Sequence, residues 1–360
     1  MPRKISAVLG ILIALLCLPQ PVSAHEKWFV DRPNDYALKW GRLGSWPVVV
    51  AVAIAFAALA LARALESRLR ARQHMRGGNV LAGIGEERLR RVYAYLPLLL
   101  AIHVAVPLLV NGFSLQLFAP NLHMRTNLLS GVLALAEVLI ALALVYGVFT
   151  DYAAFGLVGL FIAGLVFGPL VGIPALFLLE HVDFVGIAVF VYIIGRGPFS
   201  ADALLGRRAH PHPALIPYAI PALRWGVGLS FVFLAFSEKL LNPALADAFL
   251  AQKINFNVGA GFGLPNGLFV YGAAIAELTF GLLLISGVLP RLVIVALWIP
   301  ANLTLPFLGW VELAGHLPIY GVLLTLLIVG SSDQPTIRQS VRILAEEAGV
   351  LATREPVRTR

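Results

Sequence analysis

Apolar runs of roughly 18 to 25 residues recur along almost the whole chain, and this constrains the fold more than any other feature. A helix rising about 1.5 Å per residue needs about 20 such residues to cross a hydrocarbon layer about 30 Å thick. The runs fall at about 46–65, 93–113, 128–149, 152–171, 175–195, 218–241, 267–287, 290–308 and 311–330. They predict an all-α polytopic membrane protein with about nine transmembrane helices. Only 13% of the 360 residues are charged and 59% are hydrophobic, too little polar surface for a soluble domain of this size.

The formal net charge of +8 does not indicate nucleic acid, because the basic residues lie in short segments between apolar runs. Arg68, Arg70, Arg72, Arg76, Arg88, Arg90 and Arg91 follow the first run, Arg196, Arg207 and Arg208 the fifth, and Arg338, Arg342, Arg354, Arg358 and Arg360 the last. The opposite segments, 114–127 and 242–266, carry only Arg125 and Lys253. Basic residues collect on the cytoplasmic side of a membrane. The pattern therefore predicts a bacterial-type inner membrane protein, with a periplasmic mature N-terminus and a cytoplasmic C-terminus.

The N-terminus reads as a cleaved signal peptide over 1–24. Arg3 and Lys4 precede the apolar stretch Ile5 to Leu16, and Val22-Ser23-Ala24 makes a small-residue cleavage site. The mature chain would begin at His25, with a periplasmic segment over 25–45 and an extra span over 46–65. Cys17, the only cysteine, would leave with the signal. A thiol-free mature chain excludes disulfide exchange, iron–sulfur ligation and a thiolate nucleophile. The cytoplasmic tail, 333–360, carries Ile337, Val341, Ile343 and Leu344 among charges, the pattern of a short surface helix.

The chain also repeats itself. Glu137 lies in an apolar run with Gly147 ten residues on, and Glu277 lies in another with Gly287 ten residues on. His181 is followed by Gly186 and Gly195, and His316 by Gly321 and Gly330, at the same spacings. Two tandem four-helix units are predicted, over 92–197 and 218–332, joined by a cytoplasmic linker over 198–217. Four helices is an even number, so both units would face the membrane the same way.

The second unit carries Arg224-Trp225-Gly226, Phe236-Ser237-Glu238-Lys239-Leu240, Ala276-Glu277-Leu278 running through Gly281 to Gly287, Leu289-Pro290-Arg291, and Gly315-His316-Leu317. Over about 110 residues it resembles the DoxX-like family of four-helix membrane proteins. The first unit departs from that pattern, with His103 where the second has apolar residues and no Glu-Lys pair before Asn111. The resemblance implies a small helical bundle, in some members associated with quinone-linked sulfur oxidation.

Ionisable groups cost about 2.5–3.5 kcal/mol each at the centre of a spanning helix, so those that persist have partners or a function. In the second unit, Glu238, Glu277, Glu312 and His316 form one candidate polar pocket. Glu312 and His316 are four apart and share a helix face. In the first unit, His103, Glu137, Glu180, His181 and Asp183 form a second. Carboxylates with imidazole suit a proton relay, a quinone head group or a divalent metal, and His103 with His181 would permit axial ligation of haem. Lys239 and Arg224 offer a further reading, in which the same groups only pair to fix helix packing. At the mature N-terminus, His25 would offer an α-amine and an imidazole to copper, with His123 as the candidate second ligand. His210 and His212 lie in a Pro-rich linker, and no phosphate-binding loop is present.

Three functions fit these residues. The first is a redox-associated membrane subunit, quinone- or proton-linked, which requires a partner redox subunit because the chain has no electron carrier of its own. The second is a binding or transport protein for a metal or small solute entering from the periplasm. The third is a non-catalytic scaffold. Quinone, copper and haem are the cofactors these readings call for.

Overall fold

The computed structural model describes residues 26–30, 32–76, 86–197, 199–205, 213–251, 257, 259–303, 305–330 and 341–346. The expected signal peptide, His25, and the histidines of the 198–217 linker lie outside the described residues. A short 3₁₀ turn, Glu26–Trp28, comes first, and then the long helices α1 (Trp46–Arg76), α2 (Glu86–Phe113), α3 (Leu128–Tyr146) and α4 (Thr150–Val171). A bent pair follows, made of the turn Ala175–His181 and α5 (Asp183–Ile194). The rest of the chain forms α6 (Ile216–Leu234) with a π-helical extension Ala235–Leu240, then α7 (Pro243–Leu250), α8 (Asn266–Ser286), α9 (Pro290–Leu303) and α10 (Leu305–Val329).

Seven of the described helices are long and apolar enough to cross a membrane, eight if the bent pair is one span. The expected run 290–308 is the exception. Its apolar helix is short, Pro290–Ile299, and the helix Leu305–Val329 is kinked at Gly309, whose φ of 68° and ψ of −146° lie outside helical geometry. Pro300 and Pro306 fall in the same run, and proline removes a backbone donor and crowds the preceding turn. Outward faces keep large apolar residues such as Leu128, Leu135, Tyr152, Val166 and Trp225 exposed, as lipid-facing helices do.

The halves 86–197 and 213–330 use the same devices. Gly147 (φ 62°) and Gly287 (φ 68°) end α3 and α8 in the left-handed conformation, and Phe149 (φ 49°) and Leu289 (φ 45°) follow two residues later. The next helix is capped in each case by a distant carboxylate. Asp202 accepts from Phe149 N–H and Thr150 N–H, both at 2.9 Å, and Glu66 accepts from Leu289 N–H at 3.4 Å. Arginines close the C-terminal ends. Arg196 donates to the Leu144 carbonyl (3.1 Å), Arg224 to Ile285 (3.5 Å) and Arg291 to Leu327 (3.0 Å).

The halves also close on each other. α5 packs on α6, and α10 packs on α2, so the last helix of each half meets the first helix of the other. Glycines permit these approaches. A Cβ on Gly186 of α5 would strike the Ala222 carbonyl of α6, and one on Gly321 of α10 would lie 2.8 Å from the His103 Cβ of α2. On the other side of α6, Gly228 and Gly281 of α8 meet backbone to backbone, each Cβ position 2.6–2.7 Å from the other's carbonyl oxygen. Thus α6 lies between α5 and α8, and its π-helical end becomes the meeting point of three elements.

Candidate functional site

The site is built around that π-helical turn. Its wider winding turns fewer degrees per residue than an α-helix, and three consecutive polar residues, Ser237, Glu238 and Lys239, all face inward. Glu238 is fully buried and Lys239 is 3% exposed. From α8, Glu277 reaches Lys239, its Oε1 lying 3.0 Å from Nζ. From the bent pair, Glu180 accepts a hydrogen bond from Ser237 Oγ.

The remaining partners come from outside the spans. The turn Glu26–Trp28 enters the bundle and exchanges partners crosswise with Glu238-Lys239. Glu26 N–H donates to Glu238 Oε2 (2.9 Å), and the Glu26 carboxylate lies 3.3 Å from Lys239 Nζ. Lys27 Nζ forms an ion pair with Glu180, lies 3.9 Å from Glu238 Oε1, and sits 4.0 Å above the Phe177 ring. Four carboxylates, Glu26, Glu180, Glu238 and Glu277, thus share two ammoniums, Lys27 and Lys239, in one buried network. Burial pushes the Glu26 carboxyl up to about 8; Lys239 opposes that rise, and Glu238 and Glu277 add to it.

Imidazoles border the network. His316 Nδ1 lies 3.5 Å from Glu312 Oε1, and its ring packs against Trp28 with centroids 4.9 Å apart. Gly315 makes room for that indole, since a Cβ there would strike the Trp28 ring. His181 is buried within electrostatic reach of Lys27 and His316, and His316 within reach of Glu238. A cavity of about 20 Å³, enough for one water, lies beside His316 and Tyr320.

Of the first expected pocket, Glu238 and Glu277 therefore meet through Lys239, while Glu312 and His316 form the adjoining pair. The second expected set has divided. Glu180 and His181 join the network. Asp183 begins α5, its N–H donating to Ser230 Oγ (3.1 Å), which also lies 3.3 Å from the Asp183 carboxylate. Glu137 accepts from Phe118 N–H (2.9 Å), and His103 bonds back to the Leu99 carbonyl of its own helix (2.7 Å). His123 is exposed and lies beside Gln116. Among the described residues no group of three or more His, Cys, Asp or Glu side chains is arranged to hold a metal ion.

Sequence reasoning missed Glu26, Lys27 and Ser237. The first two lie in the segment read as periplasmic, 25–45, and Trp28 of the same turn seats it on α10. The available signal was textual: Glu26-Lys27 and Glu238-Lys239 are identical dipeptides, and each lysine pairs with acids on elements other than its own. No family model, no curated protein and no solved structure matches the chain.

Proposed function

We propose that this chain is a DoxX-like inner-membrane subunit that takes up and releases protons for a quinone-linked redox partner, with a periplasmic mature N-terminus and a cytoplasmic C-terminus. One observation carries the reading. Among the described residues four buried carboxylates share two ammoniums, so carboxylates outnumber the cations that answer them in a low-dielectric interior, where full ionisation is costly. Protons are the simplest neutralising species. Glu26 supports this, because burial holds its titration near neutral pH, where a proton carrier must work. His181, His316 and the water-sized cavity beside His316 extend the network by groups that pass protons.

The quinone part of the proposal rests on the family resemblance and on a groove. An apolar groove of about 1220 Å³ runs between α1, α8 and α9, lined by Ala57, Leu61, Gly272, Ala276 and Leu283 among others. Ala276 faces this groove and the next residue, Glu277, faces the network, so α8 alone separates a seat for an isoprenoid tail from the carboxylates. Reduction of a quinone takes up protons, and carboxylates with imidazole suit their delivery. The partner subunit would supply the electrons.

Infrared difference spectroscopy on the purified protein with a soluble-tailed quinone tests both parts. Electrochemical reduction of the quinone should change the carbonyl band of protonated carboxyl groups, and Glu277→Gln should remove that change. An unchanged band on quinone reduction would sink the quinone link. A carboxyl band that also ignores pH between 5 and 9 would sink proton handling and leave a packing role for the network.

A further inference from the structure

Lys27 is held the way a ligand is held. Its ammonium meets the Glu180 carboxylate, the Glu238 carboxylate at 3.9 Å, and the face of Phe177 at 4.0 Å, while Ser237 fixes Glu180 from the side. All four host residues belong to the bent pair and to the end of α6. The occupant belongs to a three-residue turn outside the spans. Two carboxylates, one of them held by a hydroxyl, and an aromatic face are an acceptor set for an organic ammonium ion, which donates N–H bonds and carries a charge that π-electrons attract. We propose that Phe177, Glu180, Ser237 and Glu238 form a binding site for a primary ammonium ligand, a small alkylamine or one end of a polyamine, and that Lys27 fills the site when no ligand is bound.

Two observations favour exchange over a permanent pin. First, Lys27 uses the site incompletely. Glu180 Oε2 is buried and accepts no hydrogen bond, and the Glu238 oxygen at 3.9 Å is beyond hydrogen-bond length. Second, exchange relieves Glu26. With the turn in place, its carboxyl is buried beside Glu238 and Glu277, and burial pushes it up to about 8. If a ligand ammonium replaces Lys27 and the turn leaves, the ligand keeps a cation beside Glu180 and Glu238 while Glu26 returns to water, where it ionises at no desolvation cost. Apart from these polar contacts the turn is seated through Trp28 on Gly315 and His316 and through Phe29 on Phe249. The proposal does not depend on the proton-linked reading, since the site needs no quinone.

The test uses the full chain in detergent with ethylammonium as the probe and tetramethylammonium and sodium as controls at equal ionic strength. Trp28 emission, taken as the difference between the protein and its Trp28→Phe variant, reports the turn. Ethylammonium should shift that emission saturably, and the controls should not. Gly315→Leu, which crowds Trp28 out of its seat and so silences that signal, should bind ethylammonium at least ten-fold more tightly when binding is read from the rise of its melting temperature with concentration, and Glu180→Gln should weaken binding at least ten-fold by the same reading. Lys27→Ser leaves the site empty without disturbing Gly315, and ethylammonium should raise its melting temperature more than that of the unsubstituted protein. A Trp28 signal that ignores ethylammonium, or that all three cations move alike, overturns the proposal, as does an indifferent Lys27→Ser variant.

Discussion

Glu137 and Glu277 occupy the same place in their halves, ten residues before a left-handed glycine, yet they are answered differently. Glu137 meets one backbone donor, Phe118 N–H, from the loop between α2 and α3. That loop folds back into the bundle, with Leu117, Phe118, Ala119 and Leu122 at most 2% exposed and Phe118 held at φ 66°. Glu277 meets an ammonium, Lys239, which two other carboxylates share. One glutamate is answered locally, through one oxygen, by its own half. The other is a node in a network that draws on the N-terminal turn, the bent pair and α6. The difference teaches that an acid in a spanning helix does not by itself mark a site. What marks it is whether the group that answers it is shared.

Removing the shared cation should do the most damage. Lys239→Met strips a partner from Glu26, Glu238 and Glu277 at once, and breaking a buried ion pair from one side costs about 3–5 kcal/mol. Thermal unfolding in detergent should show a large fall in Tm. The double variant Lys239→Met with Glu277→Leu should recover part of the loss, because removing both charges leaves less uncompensated. A double variant no better than the single one would mean that Glu277 is not the principal partner.

The pH dependence should come next in size. The Glu26 carboxyl is raised from its ordinary 4.5 to about 8 in the fold, so between those values the folded state binds more protons than the unfolded state. Stability from this group is therefore fully present below about 4.5, declines as pH rises, and is lost as pH passes about 8. Glu26→Gln removes the titrating carboxyl from the faces of Lys239, Glu238 and Glu277, and should flatten the Tm profile across that window. A profile unchanged by this substitution would place the titration elsewhere.

Gly315 tests how the turn is held. A leucine there would collide with the Trp28 ring, and overpacking of this kind costs about 1–3 kcal/mol. The turn should leave, taking Glu26 and Lys27 with it, and Trp28 emission should move to longer wavelength. Gly131→Ala in α3 is the comparison, since a Cβ there meets nothing within 4 Å. It should be neutral or slightly stabilising, because alanine costs less than glycine in a helix.

The reach of the sequence follows from the same contrast. A charge inside an apolar run stands out, so Glu137, Glu180, Glu238, Glu277, Glu312 and His316 were all visible, as were the helices that carry them. Partnership was not visible, because it depends on how each helix is rotated and on which loops fold inward. Glu26 and Lys27 lie outside every apolar run and look like solvated residues, although Lys27 is among the most buried side chains in the molecule. The 290–308 run illustrates the opposite limit. Its hydropathy suits a span, but two prolines and Gly309 divide it into pieces of unequal length.

The smallest effect expected lies at the other pole of the comparison. Glu137→Gln keeps an acceptor oxygen for Phe118 N–H, so the loop should stay in place and the loss should be under about 1 kcal/mol. Glu137→Leu removes the acceptor and leaves a buried N–H unanswered in a backbone already at positive φ, which costs about 1–3 kcal/mol. The ratio of the two losses, read from Tm or from amide exchange at Phe118, measures how far Glu137 acts as an acceptor alone. If Glu137→Gln proves as costly as Glu137→Leu, the carboxyl at this position is doing more than receiving one hydrogen bond. The two halves would then be alike in chemistry as well as in spacing, and the contrast between a local acid and a shared one would fail at its simpler end.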